Sequence, residues 1–590
     1  MRMLMSRISK TTIVLMMLAP MVFNLTLLSA AQAQQAQKRY GGTLVVHNWD
    51  DYTVFCGNYL STTAVNPAYT VLNKLCRFNV VDYTVCPEMA QRWDVSPDSK
   101  VWTFYLYKNI KFHDGSPCTS QDVKFTFDSV IAEKGPYATQ LKMIDRIETP
   151  DDYTVKFILK TPTGIFDAII AQTDSSPWII PKRLWDPAIT GIDVRKNDQN
   201  MKTIGTGAYR LTEWVKGSYW TLEPFKDYYR YQPYLDKIVV KISQNWQAVS
   251  SAIETGEIQF SFYNPAFSDC ARLKTLPGVG VFPYPRPIIV HLEFNLNRKP
   301  FDDLRVRQAM IYAINKTDVL SRGLLGFGEV MPGPFIPSIQ WCYNPAALQP
   351  SYDPKKAEQL LDEAGLPRGA DGIRFHTTLT TIPRAGTHDP CEVAGEYLKK
   401  VGIDVKMDVM DVSALYDKVL SRKDFDIAGI GGLHGPDPDQ YATYYESTSS
   451  RNEIGYNNSR VDQLFEIGRS ASAQQDRKNA YFEIQQILAR DLPRIELVRT
   501  DWPVPYRTDY QGFFTQDKNE GDYSLQGVWW TKAPAPTTTA ATTTRPTTTV
   551  KPPEQAPDYT TYAAIAIIAI IAVGGVYYWS KRGAKSKTTK

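Results

Sequence analysis

The chain has 590 residues and a formal net charge of +4 at pH 7. Eight of its basic residues lie in two terminal segments, 1–33 and 580–590, and the remainder without those segments has a net charge of −4. A mildly acidic body argues against nucleic acid or an anionic lipid surface as its partner.

The N-terminal segment has the layout of a secretory signal peptide. Three basic residues precede an apolar run at 11–28, and the run leads to the small-x-small pattern Ala31-Gln-Ala33. We therefore predict a signal peptide at 1–33 that is removed after Ala33. A retained N-terminal anchor is the alternative interpretation.

The body that follows mixes strands and helices. Alternation of apolar and polar residues predicts strands at 101–106 and 154–159, after an opening strand at 42–47. Periodicity, caps and stop signals predict helices at 120–131, 306–314, 354–364, 391–401 and 473–489.

Strands and helices alternate between residues 375 and 430, which is typical of an α/β arrangement with ligands bound beyond the carboxyl ends of its strands. The elements there are a strand from 375, a helix, a strand at 404–409, a helix at 414–421 and a strand at 425–430. The last strand runs into a loop rich in Gly, Pro and Asp at 431–440, which we predict to be a binding loop.

Three short motifs have structural interpretations. Phe112-His-Asp-Gly115 predicts a tight turn in which Gly115 takes a positive φ, with His113 in a structural role. Asp302 or Asp303 is expected to cap the helix that follows, and Asp353-Pro354 begins another helix in the same way.

The C-terminal region predicts a membrane tether. Residues 531–561 are dominated by Thr and Pro, which is typical of an extended stalk, and 562–579 are apolar enough to form a transmembrane helix. The basic residues of 580–590 predict a cytoplasmic tail. We therefore expect a single-pass protein of the cell membrane, with its ectodomain outside and its C-terminus inside.

Motifs of catalysis and of metal binding are absent from the sequence. No Gly-x-Ser-x-Gly, His-Glu-x-x-His or phosphate-binding glycine loop occurs, so we expect no enzyme activity and no cofactor. No His pair has ligand spacing, so no metal site is predicted. Seven Cys without a C-x-x-C pair leave disulfide pairing open. A glycan-acting enzyme and a surface receptor without transport are the alternatives.

A series of motifs in order resembles one family. The motifs Trp93-Asp-Val-Ser-Pro-Asp-Ser-Lys-Val-Trp-Thr-Phe104 and Asn109-Ile-Lys-Phe-His-Asp-Gly-Ser116 resemble those of family 5 extracellular solute-binding proteins. These are the dipeptide/oligopeptide-type substrate-binding components of ABC importers. Further matching blocks lie at 122–125, 205–209, 234–238, 294–297, 300–309, 312–316, 352–354, 360–365 and 457–462.

The resemblance implies an α/β, periplasmic-binding-protein-like fold with an extra lobe, so that there are three lobes with the ligand cleft between lobes I and III. It also implies a monomer that captures an oligopeptide or an oligosaccharide and delivers it to ABC permease subunits. The boundaries we expect are 34–78, 203–285 and 499–530 for lobe I, 79–202 for lobe II, and 286–498 for lobe III.

The resemblance also points to the loop of lobe III as a ligand site. Counting back from Asp437-Pro-Asp439, the position where peptide-binding relatives hold an amine-binding Asp is His434. We expect replacement of His434 to alter affinity and to leave the ligand-free stability unchanged. Aromatic and amide residues would stack on rings and bond to hydroxyls. The predicted ligand-binding residues are Trp49, Trp246, Tyr263, Asn264, Trp341, His434, Asp437, Asp439 and Tyr441.

Overall fold

The computed structural model describes residues 40–60, 66–79, 82–172, 176–263, 266–513 and 525–531. All of them belong to one of the two compact units into which the chain divides, Met1–Pro534.

Two classes of regular element make up this unit. The strands are β1 (Thr43–Asn48), β2 (Cys76–Phe78), β3 (Val85–Pro87), β4 (Ala90–Val95), β5 (Val101–Leu106), β6 (Ile144–Asp151), β7 (Thr154–Leu159), β8 (Tyr209–Val215), β9 (Tyr219–Pro224), β10 (Lys237–Ile242), β11 (Phe260–Ser261), β12 (Val279–Phe294), β13 (Gly328–Val330), β14 (Phe375–Thr381), β15 (Ile403–Val409), β16 (Ile427–Leu433), β17 (Arg494–Arg507), β18 (Tyr510–Gln511) and β19 (Trp529–Trp530).

The α-helices are α1 (Ser120–Ala132), α2 (Phe166–Ala171), α3 (Lys182–Trp185), α4 (Pro187–Thr190), α5 (Trp246–Thr255), α6 (Phe267–Leu273), α7 (Leu304–Ala313), α8 (Lys316–Asp318), α9 (Pro354–Glu363), α10 (Ala385–Lys400), α11 (Val412–Tyr416), α12 (Ala442–Tyr445), α13 (Ser459–Ser470) and α14 (Gln474–Asp491). Short 3₁₀ turns lie at Asn66–Thr70, Gln140–Met143, Val194–Lys196, Asp198–Asn200 and Pro438–Tyr441, and π turns lie at Val319–Gly323 and Asp417–Ser421.

A single large sheet joins the two halves of the unit. Its strand order is β15-β14-β16-β12-β17-β11-β1-β10-β9-β8, and β13 pairs with β17 beside this path. One half is built on β1, which is parallel to β10 and β11, and the other on β14, which is parallel to β15 and β16. The long antiparallel strands β12 and β17 connect the halves.

A second, four-stranded sheet has the order β4-β5-β7-β6, and α1 packs against β6 and β7. Helix α1 begins at a capping box, in which Thr119 accepts from the helix backbone and Asp122 accepts from the Thr119 backbone. This region contacts the corner between α13 and α14. The Gly164 amide donates to the Arg469 carbonyl at 2.8 Å, and the Ser472 hydroxyl donates to the Pro97 carbonyl at 3.2 Å.

Most of the predicted elements are present: the strands at 101–106 and 154–159 have the predicted ends, and the ends of most others move by one to three residues. Asp303, and not Asp302, caps α7, and Asp353 caps α9 with Pro354 in its first turn. Gly115 has φ of +86°. His113 is structural, since its Nε2 contacts the Gly207 carbonyl at 3.0 Å.

Two elements differ from the prediction in ways that matter for the site. Helix α10 begins at Ala385, six residues before the predicted start, although Pro390 lies inside it. Pro390 packs closely against Gly323, where a Cβ would lie 2.8 Å from the Pro390 backbone. Strand β16 extends through Leu433, because Gly431, Gly432 and Leu433 pair with β12. The predicted loop therefore starts three residues later.

The predicted membrane localisation is corrected here. No helix among the described residues is both long enough and apolar enough to cross a bilayer, so we withdraw the prediction of a single-pass membrane protein. The segments on which the predictions for the two ends rested, 1–33 and 532–590, lie outside the described residues. Each of the seven cysteines is buried, and none forms a disulfide.

The contact of Gly164 with the α13–α14 corner predicts that Gly164→Ala destabilises the protein. An added Cβ would lie 1.8 Å from the Ala471 carbonyl oxygen, so backbone has to move, which costs about 1–3 kcal/mol. Gly395→Ala is the control, because the nearest atoms to its Cβ would be 3.7 Å away and alanine favours a helix by up to about 1 kcal/mol. Denaturant unfolding of both variants checks this, and equal stability of the two would contradict it.

Candidate ligand-binding site

A cavity of about 820 Å³ opens where the carboxyl ends of strands from both halves of the large sheet meet. Trp49 follows β1, Tyr263 follows β11, and Ile382 follows β14. Ligand cavities in α/β proteins lie at this position, and their volumes are roughly 300–1,000 Å³. The lining residues are Trp49, Trp246, Tyr263, Ala266, Phe267, Arg286, Ile288, Ile382, Arg384, Gly386, Thr387, Val412, Leu415, Tyr416, Gly429, Ile430, Gly431, Thr500 and Trp502.

Aromatic rings form two pairs in this lining. Trp49 and Trp246 stack with ring centroids 4.6 Å apart and an angle of 22° between their planes. Trp246 is held at the start of α5, where the Asn245 side chain caps the helix. Tyr263 and Trp502 have centroids 5.9 Å apart. These faces offer flat apolar surface to a ligand.

Arg286 and Arg384 are the charged residues of the lining. Arg286 lies in the irregular part of β12, where the register with β17 shifts between Pro285 and Ile289, and its guanidinium lies 4.0 Å from the centre of the Trp502 ring. A β-bulge re-aims side chains in this way. Arg384 is exposed and precedes the first turn of α10.

Backbone forms the floor of the cavity. Gly429 and Gly431 of β16 line it, and a Cβ on Gly429 would lie 2.4 Å from the Cys391 sulfur. Gly386 and Thr387 of the first turn of α10 face the same space, and no side chain caps that turn. The early start of α10 and the extension of β16 thus both supply lining residues.

The structure brings three of the predicted site residues together in the cavity: Trp49, Trp246 and Tyr263. Asn264 lies outside the described residues. The other five predicted residues are absent from the lining.

His434 is a core residue, which corrects the prediction that its replacement leaves stability unchanged. It is completely buried, and its ring stacks on Tyr444 with centroids 4.6 Å apart. Its Nδ1 lies 2.6 Å from the Gly432 carbonyl oxygen. Burial and the positive charges of neighbouring side chains hold the pKa of His434 well below its usual value, so the ring is neutral.

The two aspartates of the loop form ion pairs with arginine side chains of the protein. Both carboxylate oxygens of Asp437 accept from the Nη2 of Arg477 at 2.8 Å. Asp439 accepts from the Nε of Arg469 at 3.1 Å. Burial raises the pKa of Asp439 to about 6. These carboxylates shape the loop and are not offered to a ligand in the cavity.

The remaining two predicted residues pack around the same loop. Tyr441 is completely buried, stacks on Phe335 with centroids 3.8 Å apart, and accepts from the Ile336 amide at 2.9 Å. Trp341 is half-buried beneath the guanidinium of Arg477, 4.9 Å from its ring centre. Both are part of the packing behind the loop.

Several lining residues were missed by the sequence reasoning, above all Arg286, Arg384 and Trp502. Arg384 lies just after β14, and the pattern Ile382-Pro-Arg384 at that strand end is the signal that could have found it. Arg286 and Trp502 lie inside long strands. Their position in the cavity depends on the pairing of β12 with β17, which no local pattern reveals.

A buried polar cluster links β12 and β17 beside His434. Arg494 contacts Glu293 at 2.6 Å, His291 contacts Glu293 at 2.9 Å, and the Tyr445 hydroxyl donates to Glu496 at 2.8 Å. Burial raises the pKa of Glu496 to about 7, although Arg494 acts in the opposite direction. Among the described residues, no group of three or more His, Cys, Asp or Glu is arranged to hold a metal ion.

Comparison with known proteins gives a consistent match. The family model of bacterial extracellular solute-binding proteins, family 5 (middle), matches residues 84–455. The oligopeptide-binding protein AppA of Bacillus subtilis (strain 168) is 28% identical over 524 residues, which cover 85% of this chain and 94% of AppA. The dipeptide-binding protein of Escherichia coli (strain K12) is 28% identical over 488 residues, which cover 77% of this chain and 88% of that protein.

A solved structure extends the match to the fold. The ABC transporter-associated periplasmic binding protein DppA from Helicobacter pylori, in complex with the peptide STSA, is 28% identical. It superimposes with a TM-score of 0.62 and covers 84% of this chain and 99% of that one. The fold is therefore the α/β fold of periplasmic binding proteins.

The burial of His434 predicts that His434→Ala lowers the free energy of unfolding by about 2–4 kcal/mol, as truncation of a large buried side chain does. His376→Ala is the matched control, because His376 is exposed and pairs with Asp404 on the surface. We expect its effect to be within about 0.5 kcal/mol. Thermal unfolding without ligand checks both, and a wild-type melting temperature for His434→Ala would be inconsistent with a core role.

The buried Glu496 predicts a pH-dependent effect of Glu496→Gln. Between pH 4.5 and about 7 the folded chain keeps a proton that the unfolded chain has released, so this group's contribution to stability falls as the pH rises. Glutamine does not titrate and so removes that loss. We expect the free energy of unfolding of the variant, relative to that of wild type, to be about 1–3 kcal/mol higher at pH 8.5 than at pH 5. Unfolding at both pH values measures it. The exposed Glu483→Gln should show no such gain, and an equal effect of Glu496→Gln at both pH values would refute the assignment.

Proposed function

The chain belongs to the family 5 extracellular solute-binding proteins, and from that premise we propose that it is the substrate-binding component of an ABC importer for peptides. The observation that carries the proposal is the cavity of about 820 Å³ at the strand ends, with two aromatic pairs on its walls. The relatives named above are an oligopeptide-binding and a dipeptide-binding protein. ABC permease subunits are the partners in this role, and the protein acts as a monomer that binds its ligand without catalysis.

The residues that we propose to contact the ligand are a revision of those predicted from sequence. We retain Trp49, Trp246 and Tyr263, and we add Trp502 and the backbone of Gly431. Extended strands and their backbone groups recognise peptides largely independently of peptide sequence, whereas stacking faces favour particular side chains. Sugar rings also suit stacked aromatic faces, so oligosaccharides are the second ligand class to be tested.

Three lobes remain our proposal for the organisation of the body. The four-stranded sheet of residues 90–159 supports a separate lobe II within 79–202. The half of the large sheet built on β1 would be lobe I, and the half built on β14 would be lobe III. The cavity is lined from both halves, which supports capture of the ligand by closure of lobe III on lobe I.

We expect peptides to stabilise the full-length chain and aromatic substitutions in the cavity to weaken that effect. A ligand that binds only the folded state stabilises it by RT ln(1 + [L]/Kd), so the melting temperature rises with ligand concentration and rises more for a tighter ligand. Trp246→Ala and Trp502→Ala each remove a stacking face and are expected to lower affinity by roughly 5- to 30-fold, equivalent to about 1–2 kcal/mol. Thermal-shift titrations with peptide and oligosaccharide libraries measure this.

The control for these variants is Tyr352→Ala, since Tyr352 is exposed and lies outside the cavity lining. Its ligand response should equal that of wild type. Concentration-dependent stabilisation by oligosaccharides alone would replace the peptide assignment, and no stabilisation by either library would contradict the proposed function.

A further inference from the structure

The cavity carries positive charge without a balancing negative charge. Arg286 and Arg384 line it, and no Asp or Glu of the described residues does. Neither arginine forms an ion pair within the described part of the chain, whereas Arg469, Arg477 and Arg499 are each paired with carboxylates. A guanidinium in a partly dehydrated cavity is stabilised by an anion, and stacking on an indole leaves the N–H edge of Arg286 available to one.

The carboxylates nearest in sequence to the lining have other roles. Asp50 accepts from the Gln244 side chain at 3.0 Å. Asp411 accepts from the Ala414 amide and caps α11. Asp501 follows Thr500, but it pairs with Arg499 on the other side of β17. Asp417 follows Tyr416 and pairs with Arg422 at 2.9 Å, and none of these four carboxylates belongs to the cavity lining.

The loop after β16 offers no ammonium partner either. Asp437 and Asp439 are held by Arg477 and Arg469, away from the lining. Freeing Asp437 would leave the buried Arg477 without its counter-charge, which costs several kcal/mol. A ligand ammonium in this cavity would lose its hydration and would meet two cations.

The backbone at the start of α10, which forms part of the cavity wall, also favours a negatively charged ligand group. The first turn of α10, a helix of 16 residues, faces the cavity at Gly386 and Thr387. The partial positive charge of a helix start favours a negative group beside it. This contribution adds to that of the two arginines.

We infer that the cavity selects peptides that are anionic and carry no free amino terminus, that is, N-acylated peptides with a free carboxylate. The inference rests on the proposed function and names the ligand class for the same cavity. The carboxylate bonds to Arg384 and Arg286, the blocked amino end lies against apolar lining, and a flat side chain stacks on Trp49 or Trp502.

The test uses the full-length chain and mixed-sequence tripeptides with four end chemistries: unmodified, N-acetylated, C-amidated, and both acetylated and amidated. Thermal-shift titration gives an apparent dissociation constant for each mixture. We expect acetylation to strengthen binding and amidation to weaken it by about 10- to 100-fold, the worth of a hydrogen bond to a charged group.

The arginine assignment is tested with Arg286→Gln and Arg384→Gln, against Arg460→Gln as the control. Arg460 of α13 is exposed and pairs with Glu483 of α14, and neither residue lines the cavity. The ratio of carboxylate to amide affinity within one variant is independent of changes in stability. It should fall toward one in the two cavity variants and stay at the wild-type value in the control.

The outcomes separate the inference from the function on which it rests. If unmodified tripeptides bind as tightly as N-acetylated ones or more tightly, the proposed ligand class is wrong, but the chain is still a peptide-binding protein. Binding by none of the four mixtures would overturn both. A preference for carboxylate that survives in both cavity variants would overturn the role of the arginines.

Discussion

The pairing of β12 with β17 is the interaction on which the rest of the body depends. The two strands run antiparallel from Val279 opposite Arg507 to Glu293 opposite Arg494. At one end β17 pairs with β11 and so with the half of the sheet built on β1, and at the other end β12 pairs with β16 and so with the half built on β14. The two walls of the cavity are held together by these strands, because each wall belongs to a different half.

The character of this pairing changes along its length. Pro283 lies opposite Pro503, and Pro285 lies opposite Asp501, so the ladder has few N–H donors near the join. Beyond the register shift, a buried ion pair joins the two strands, because Glu293 belongs to β12 and Arg494 to β17. Charges buried so deeply tolerate little displacement, because separation would leave them without partners. The strands are thus firmly joined inside one half and loosely bonded at the crossing.

Local signals predicted much of the secondary structure, and long-range contacts decided most of the site. Caps such as Asp303 and Asp353 and the alternation in β5 and β7 act over a few residues, so the sequence displays them. The glycines at 431–432 read as a loop because only their pairing with β12 makes them a strand. Asp437 resembles a ligand group until Arg477, 40 residues away, is brought against it. A polar residue in a plausible loop does not reveal whether its partner is the protein or a ligand.

The floor of glycines has a consequence for how such a cavity can diverge. Gly429 has no space for a side chain, and the strand it belongs to is fixed by pairing on both sides. Arg286 and Arg384, in contrast, form no ion pair within the described part of the chain. In the ligand role that we propose for the two arginines, their substitution changes recognition at small structural cost, while substitution at Gly429 disturbs the scaffold. A binding protein of this design can therefore change its ligand class through substitutions at a few unpaired cavity positions and keep the same fold.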